Sequence, residues 1–360
     1  MSEQRPRVCV LTGAGASKPL DLPTMDDLLP QGFEGTLAAR ERDVFDIAAN
    51  WAAANGRGGL LDFELLFTAL DTIGHVEVSD PLGMAFVPAR DGAGGFLFKQ
   101  GPHGGAYIAG GNLDGFQKAA KAVAERLKVI VHDRLSGVDA AKAAKLYFPF
   151  LSYLSEIVGS DGEIDFFTTN YDRAVELSYE DDSAALRLVF EVVAGFPPGQ
   201  RVSRPRWNVA DYQRKAPKGL TIRLYKLHGS LDWRREGGSV RFVGAEEYVP
   251  RSVAIYPLRK PSVVDEPFKT LLGLFKERVN EARLCLVIGS SLRDDHIRHV
   301  LVERVRAEAL HVVIADPNAS TLVSALESEA GKQGARFLHK AQGEFGDPKT
   351  LQESRLGFET

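Results

Sequence analysis

A chain of 360 residues, 44% hydrophobic and 26% charged, has the make-up of a globular protein that can bury one large core or two modest ones. Its net charge of −4 gives no general attraction to nucleic acid, and its apolar runs are strand-length and broken by charge, which speaks against a spanning helix and a membrane partner. Cys9 and Cys285, the only cysteines, lie in apolar runs and read as free thiols of a reducing cytoplasm; without a Cys-x-x-Cys pair, no metal site is expected.

The N-terminal MSEQRPR has no signal-peptide character and leads straight into VCVLTGAGAS, Val8 to Ser17. A β-branched run that empties into Gly13 and Gly15 is how a doubly wound sheet begins. The glycines allow a tight turn, and a following helix would aim its first amides at a pyrophosphate. The third glycine of GxGxxG is replaced by Lys18, and no P-loop is present, so a ligand-free turn is the competing reading. Leu20 to Pro30 suits a loop over the ligand mouth, and apolar spacing predicts helices at 34–54 and 60–73. Residues 81–111 are glycine-dense with scattered aromatics, and read as an irregular hairpin, a flap or an oligomer contact. Helices at 114–135 and 139–158 complete an inserted helical subdomain, 34–158.

Strands then resume at 164–168, 186–193, 220–226, 253–256, 283–289, 310–315 and 335–338, with helices at 266–280, 294–309 and 320–330. This alternation predicts an α/β fold: a Rossmann-like, doubly wound parallel sheet made from 1–33 and 159–342, with the helical block inserted and a polar tail at 343–360.

Four strand ends carry small or polar residues: Thr12 to Ser17, Thr168 to Asp172, Leu227 to Ser230, and Gly289 to Ser291. Ligands of open α/β sheets lie outside the carboxyl ends of the strands, so these loops are expected to converge. His228, in KLHGS, is the histidine best placed to take a proton, against the simpler role of capping the strand end. Asn170 offers a neutral amide that can hold a water and a ribose hydroxyl, and Asp172 suits anchoring that loop through backbone N–H groups. His296 and His299 are three apart without a third ligand and read as a solvated helix face.

Taken together, GAGAS, TTNYD, KLHGS and GSS resemble the Sir2 (sirtuin) superfamily over roughly residues 7–320. The resemblance implies cleavage of the nicotinamide–ribose bond of NAD, with Asn170 and His228 catalytic. It also implies an NAD-binding set of Gly13, Ala14, Gly15, Ser17, Thr169, Asp172, Gly229 and Ser290, with Asp316 or Asn318 near the adenine ribose. The four-cysteine zinc module of protein deacylases is missing, and their Ile-Pro-Asp-Phe-Arg becomes Leu22-Pro23-Thr24-Met25-Asp26. These departures, with the segments DFELL, IYPLRKP and IGSSLRDDHI, resemble the bacterial SIR2-like branch of anti-phage defence. That likeness implies an NAD glycohydrolase that releases nicotinamide and ADP-ribose, gated by homo-oligomer assembly or by a HerA-type ATPase or Argonaute-like partner. The alternatives are a non-catalytic NAD or ADP-ribose-binding regulatory subunit and, further off, a deacylase. The basic stretch 201–218, with Trp207 and Tyr212, reads as a solvated loop or subunit interface, with nucleic acid as the alternative.

Overall fold

The computed structural model describes residues 7–24, 27–55, 61, 63–75, 98–100, 106–108, 113–180, 190–197, 205–216, 218–243, 252–254 and 266–341. The chain divides into two compact units: 1–22, 135–255 and 261–360 form the first, and 23–134 with 256–260 form the second.

The first unit opens with β1 (Val8–Thr12), whose five residues are all buried. A parallel strand covered on both faces must be apolar throughout, which explains the unbroken run VCVL. The expected α-helix after the glycine turn is instead a 3-10 stretch, Ala14–Leu20, which holds Pro19 and ends at Asp21 in a left-handed conformation. A proline in that position removes an amide donor and prevents a regular helix from propagating.

In the second unit a 3-10 turn at Phe33–Thr36 precedes α1 (Ala39–Asn55), which therefore starts later than its periodicity suggests. The Glu41 carboxylate accepts from the Ala38 amide at 3.0 Å and so fixes that start. α2 (Phe63–His75), the strand pair β2 (Phe98–Gln100) and β3 (Ala106–Ile108), and α3 (Leu113–Ser136) follow. Of the glycine-dense 81–111 segment only β2 and β3 are described; they pair antiparallel, and the rest lies outside the described residues.

Back in the first unit come α4 (Ala140–Val158), β4 (Glu163–Thr168), the short α5 (Ala174–Glu180), β5 (Phe190–Val193) and β6 (Leu220–Lys226). α4, expected in the inserted block, groups with this unit; its Asp139 caps it by accepting from the Lys142 amide at 3.0 Å. β7 (Gly229–Glu236), β8 (Ser239–Phe242) and β9 (Ser252–Ala254) then form a separate antiparallel sheet that the sequence reading missed, apart from a strand near β9. The signal was there: Gly237 and Gly238, at φ 53° and 79°, make the two-residue turn that a tight hairpin needs.

α6 (Phe268–Glu281), β10 (Leu284–Ile288), α7 (Asp295–Arg306), β11 (His311–Ala315), α8 (Ala319–Gly334) and β12 (Leu338–Lys340) finish the unit. The last strand starts at Leu338 rather than Ala335, because Ala335–Phe337 is a 3-10 turn. The tail 343–360 lies outside the described residues.

The main sheet is parallel throughout, in the order β12-β11-β10-β1-β4-β6-β5. The α/β, doubly wound reading therefore holds. β1 is central, and the chain first builds outward through β4 and later through β10, which puts the topological switch point at the carboxyl ends of β1 and β10. Phe167, Tyr225 and Tyr212 stack in series at 4.5 Å in the core beneath that edge. Cys9 and Cys285 sit opposite each other in register, and both are fully buried.

Candidate functional site

All four loops flagged in the sequence meet at the carboxyl edge of the main sheet, joined by hydrogen bonds. Gly13 and Gly15 donate their amides to Ile288 and Gly289 of the β10 end, at 3.0 and 2.9 Å. A Cβ on Gly15 would sit 2.8 Å from the Gly289 Cα, and one on Gly13 would sit 2.8 Å from the Ser290 Cα. Glycine is required here so that two loops can touch. The N–H groups of Gly13 and Gly15 are therefore used inside the fold.

Asn170 follows β4 by two residues, and His228 follows β6 by two, where Thr168 and Lys226 are register partners on adjacent strands. The Asn170 side chain is 9% exposed as a residue and donates both amide protons inward, to the Gly13 carbonyl at 2.9 Å and the Ser17 hydroxyl at 3.0 Å. Its Oδ1 is left as an acceptor. Ser17 is the hub: it donates to Asp172 Oδ2 at 2.8 Å and is hydrogen-bonded to the Tyr147 hydroxyl. Burial, then the charges of Asp172 and Glu176, push the Tyr147 phenol well above its usual range, so it stays protonated. Asp172 also caps α5 by accepting from the Ala174 amide at 2.9 Å, the anchoring role its position suggested.

Behind this loop lies a buried charge cluster that the sequence reading missed. Lys226, 1% exposed, donates to the Asp172 carbonyl and to Glu176 Oε1 at 3.1 Å, and lies 3.5 Å from the Tyr171 carbonyl. Burial raises the Glu176 carboxyl, the Lys226 charge opposes this, and nearby Asp232 adds to the rise. Arg173 pairs with Asp232 of β7 at 2.9 Å. Each residue from Asn170 to Arg173 is thus tied by its side chain or carbonyl to a neighbouring element. A lysine ending the strand run LTIRLYK was the one available signal.

His228, 8% exposed, has Nε2 3.2 Å from Asp294 Oδ2. Gly229 turns the chain sharply after it, at φ 90°, into β7. Thr169 bonds the Thr12 carbonyl through its amide at 3.0 Å, and Ser290 Oγ accepts from the Leu292 amide at 3.3 Å. Asp316 and Asn318 lie past β11, where Asp316 accepts from the Asn318 amide at 2.7 Å and Asn318 is exposed. Ala14 begins the 3-10 stretch. Thr12, fully buried at the floor, has a hydroxyl with no partner among the described residues.

Elsewhere, His296 and His299 are exposed on α7, as expected, and no metal-holding cluster occurs among the described residues. In the basic stretch Tyr212 is buried and Trp207 packs against the core. Arg214 pairs with Glu191 and Asp211, and Lys215 with Glu163. No described helix is long and apolar enough to cross a membrane.

Residues 165–338 match the family model of the SIR2-like domain. Solved structures similar to the chain include a Sir2 homologue–NAD complex, at 11% identity, covering 98% of this chain and 91% of that one, with a TM-score of 0.43. Another is a mutant Sir2 homologue with 2′-O-acetyl ADP ribose, at 12% identity, 99% and 95% coverage and a TM-score of 0.42. No curated protein matches the chain significantly. The similarity to the SIR2-like domain thus runs from within β4 through the first residue of β12.

Proposed function

We propose that the protein is an NAD glycohydrolase. The observation that carries this reading is the placement of Asn170 and His228 just beyond the carboxyl ends of two adjacent strands, with Asn170 locked so that only its carbonyl oxygen is left to accept. Breaking the C1′–N bond sends the electron pair to nicotinamide, which leaves neutral, and builds positive charge on the ribose. A water then adds at C1′ and loses a proton. Asn170 Oδ1 accepts from that water or from a ribose hydroxyl, and His228 takes the proton. General-base help of this kind is worth about 10²–10⁴-fold.

NAD enters as substrate, held by the Gly13–Ser17, Thr169, Gly229 and Ser290 loops, with Asp316 and Asn318 toward the adenosine end. The residue set fits through side chains and through Ala14. Gly13 and Gly15 contribute by closeness of approach rather than by donation. The likeness to the defence branch supports NAD depletion during phage infection as the role, in the cytoplasm, with activity gated by self-assembly or by a HerA-type ATPase or Argonaute-like partner. Purified protein, alone and with candidate partners, is assayed for nicotinamide release. Asn170→Ala and His228→Ala are expected to abolish it while remaining folded, and wild-type turnover in either variant refutes the proposal. NAD binding with no turnover under any condition would favour a regulatory subunit.

A further inference from the structure

We propose that Asp294 is a positioning residue of the site: it holds His228 as the Nε2–H tautomer, so that Nδ1 is the nitrogen that receives the proton. This inference deepens the hydrolase reading and rests on it for the role of His228.

The geometry separates the two oxygens of one carboxylate. Asp294 is the N-cap of α7, and its Oδ1 accepts from the His296 amide at 2.8 Å. Its Oδ2 faces His228 Nε2 at 3.2 Å, across 66 residues of sequence. Capping alone needs only the first contact. Burial would raise this carboxyl, but the bond and charge of His228, with the amides of His296 and Ile297, reverse that and hold it at about 2. An ionised carboxylate is acceptor-only, so the nitrogen facing it carries a proton. In neutral imidazole the other nitrogen then holds the lone pair. No partner for Nδ1 occurs among the described residues. When the water's proton moves to Nδ1, the ring becomes an imidazolium beside a carboxylate, without either group having to move.

Asp294→Asn tests this with the cap retained, because asparagine caps helices as well as aspartate. Its single side-chain oxygen is needed by the His296 amide, so its NH₂ group is turned to His228. A donor facing Nε2 selects the opposite tautomer and places the proton on Nδ1. In Ser-His-Asp enzymes the same exchange lowers kcat by about 10⁴-fold through the wrong tautomer.

The experiment records ¹⁵N histidine spectra of the full chain at pH 8, with the His228 signals assigned by their loss in His228→Gln. Wild type is expected to show protonated Nε2 and bare Nδ1, and Asp294→Asn the reverse. NAD turnover by Asp294→Asn should fall at least 10²-fold in kcat, with KM within a few-fold. A wild-type ring protonated on Nδ1, or a tautomer unchanged by the substitution, overturns the proposal. So does unchanged kcat in Asp294→Asn when His228→Ala is inactive, and that result leaves the hydrolase reading intact. The spectra need no substrate, so failure of the hydrolase reading is seen separately in the nicotinamide assay.

Discussion

Replacing Lys226 with methionine removes one charge from a neutral buried group of four. Lys226 and Arg173 balance Glu176 and Asp232, with side-chain exposures of 1%, 12%, 12% and 2% in that order. The substitution keeps the aliphatic volume but leaves the Glu176 carboxylate without its partner at 3.1 Å and the Asp172 carbonyl without its donor. Breaking a buried pair by removing one partner costs about 3–5 kcal/mol, because the surviving charge stays desolvated. At roughly 2–4 °C per kcal/mol, on the scale of domains of 150–250 residues, that lowers Tm by roughly 6–20 °C. The double variant Lys226→Met, Glu176→Leu removes both charges, and replacing a whole buried pair by apolar groups is often neutral. It should recover most of the lost Tm. It should not recover turnover, since the Asp172 carbonyl, two residues past Asn170, remains unanchored. Differential scanning calorimetry of wild type, both single variants and the double variant closes the cycle. If Lys226→Met melts with the wild type, or the double variant melts below it, the cluster does not hold the loop as argued.

Three further outcomes are expected. Gly289→Ala places a Cβ 2.1 Å from the Ala16 amide nitrogen at φ 57°, so strain and overpacking should destabilise by about 2–5 kcal/mol, measured by urea titration; a shift under 1 kcal/mol contradicts the loop contact. Burial would raise the Glu163 carboxyl, but hydrogen bonds from Arg223 at 2.7 Å and Lys215 at 2.5 Å bring it down from 4.5 to about 2. A carboxyl depressed in the folded state contributes stability above its unfolded value, and that stability is lost as pH falls through the folded one. Acid titration of wild type against Glu163→Gln should therefore converge between pH 4.5 and 2, and parallel curves over that window would remove the linkage. Burial raises the thiols of Cys9 and Cys285, the latter to about 12, so Ellman's reagent should label neither until the protein unfolds; rapid native labelling contradicts their burial.

What the sequence determined alone is what short-range pattern encodes. β1, β4, β6 and β10 are legible because strands buried on both faces are predominantly apolar, as VCVL and LCLVI are throughout and IDFF is apart from Asp165. The four site loops are legible for a related reason: small and polar residues stand where those runs stop, at the edge where an open sheet binds ligands. Asp139 and Asp294 could each be read as a helix start from their own neighbourhood. That Asp294 also meets His228 could not, since the contact spans 66 residues and no periodicity reports it. The same holds for Lys226 with Glu176, 50 residues apart, where a charge ending a strand signals exposure unless the fold supplies its partner. The glycines show the division most plainly. Their spacing announces a tight turn, but whether that turn serves a phosphate or a neighbouring loop depends on where Gly289 lies, 274 residues beyond Gly15 and in contact with it. Contacts of that range are set by sheet order, which tertiary packing decides.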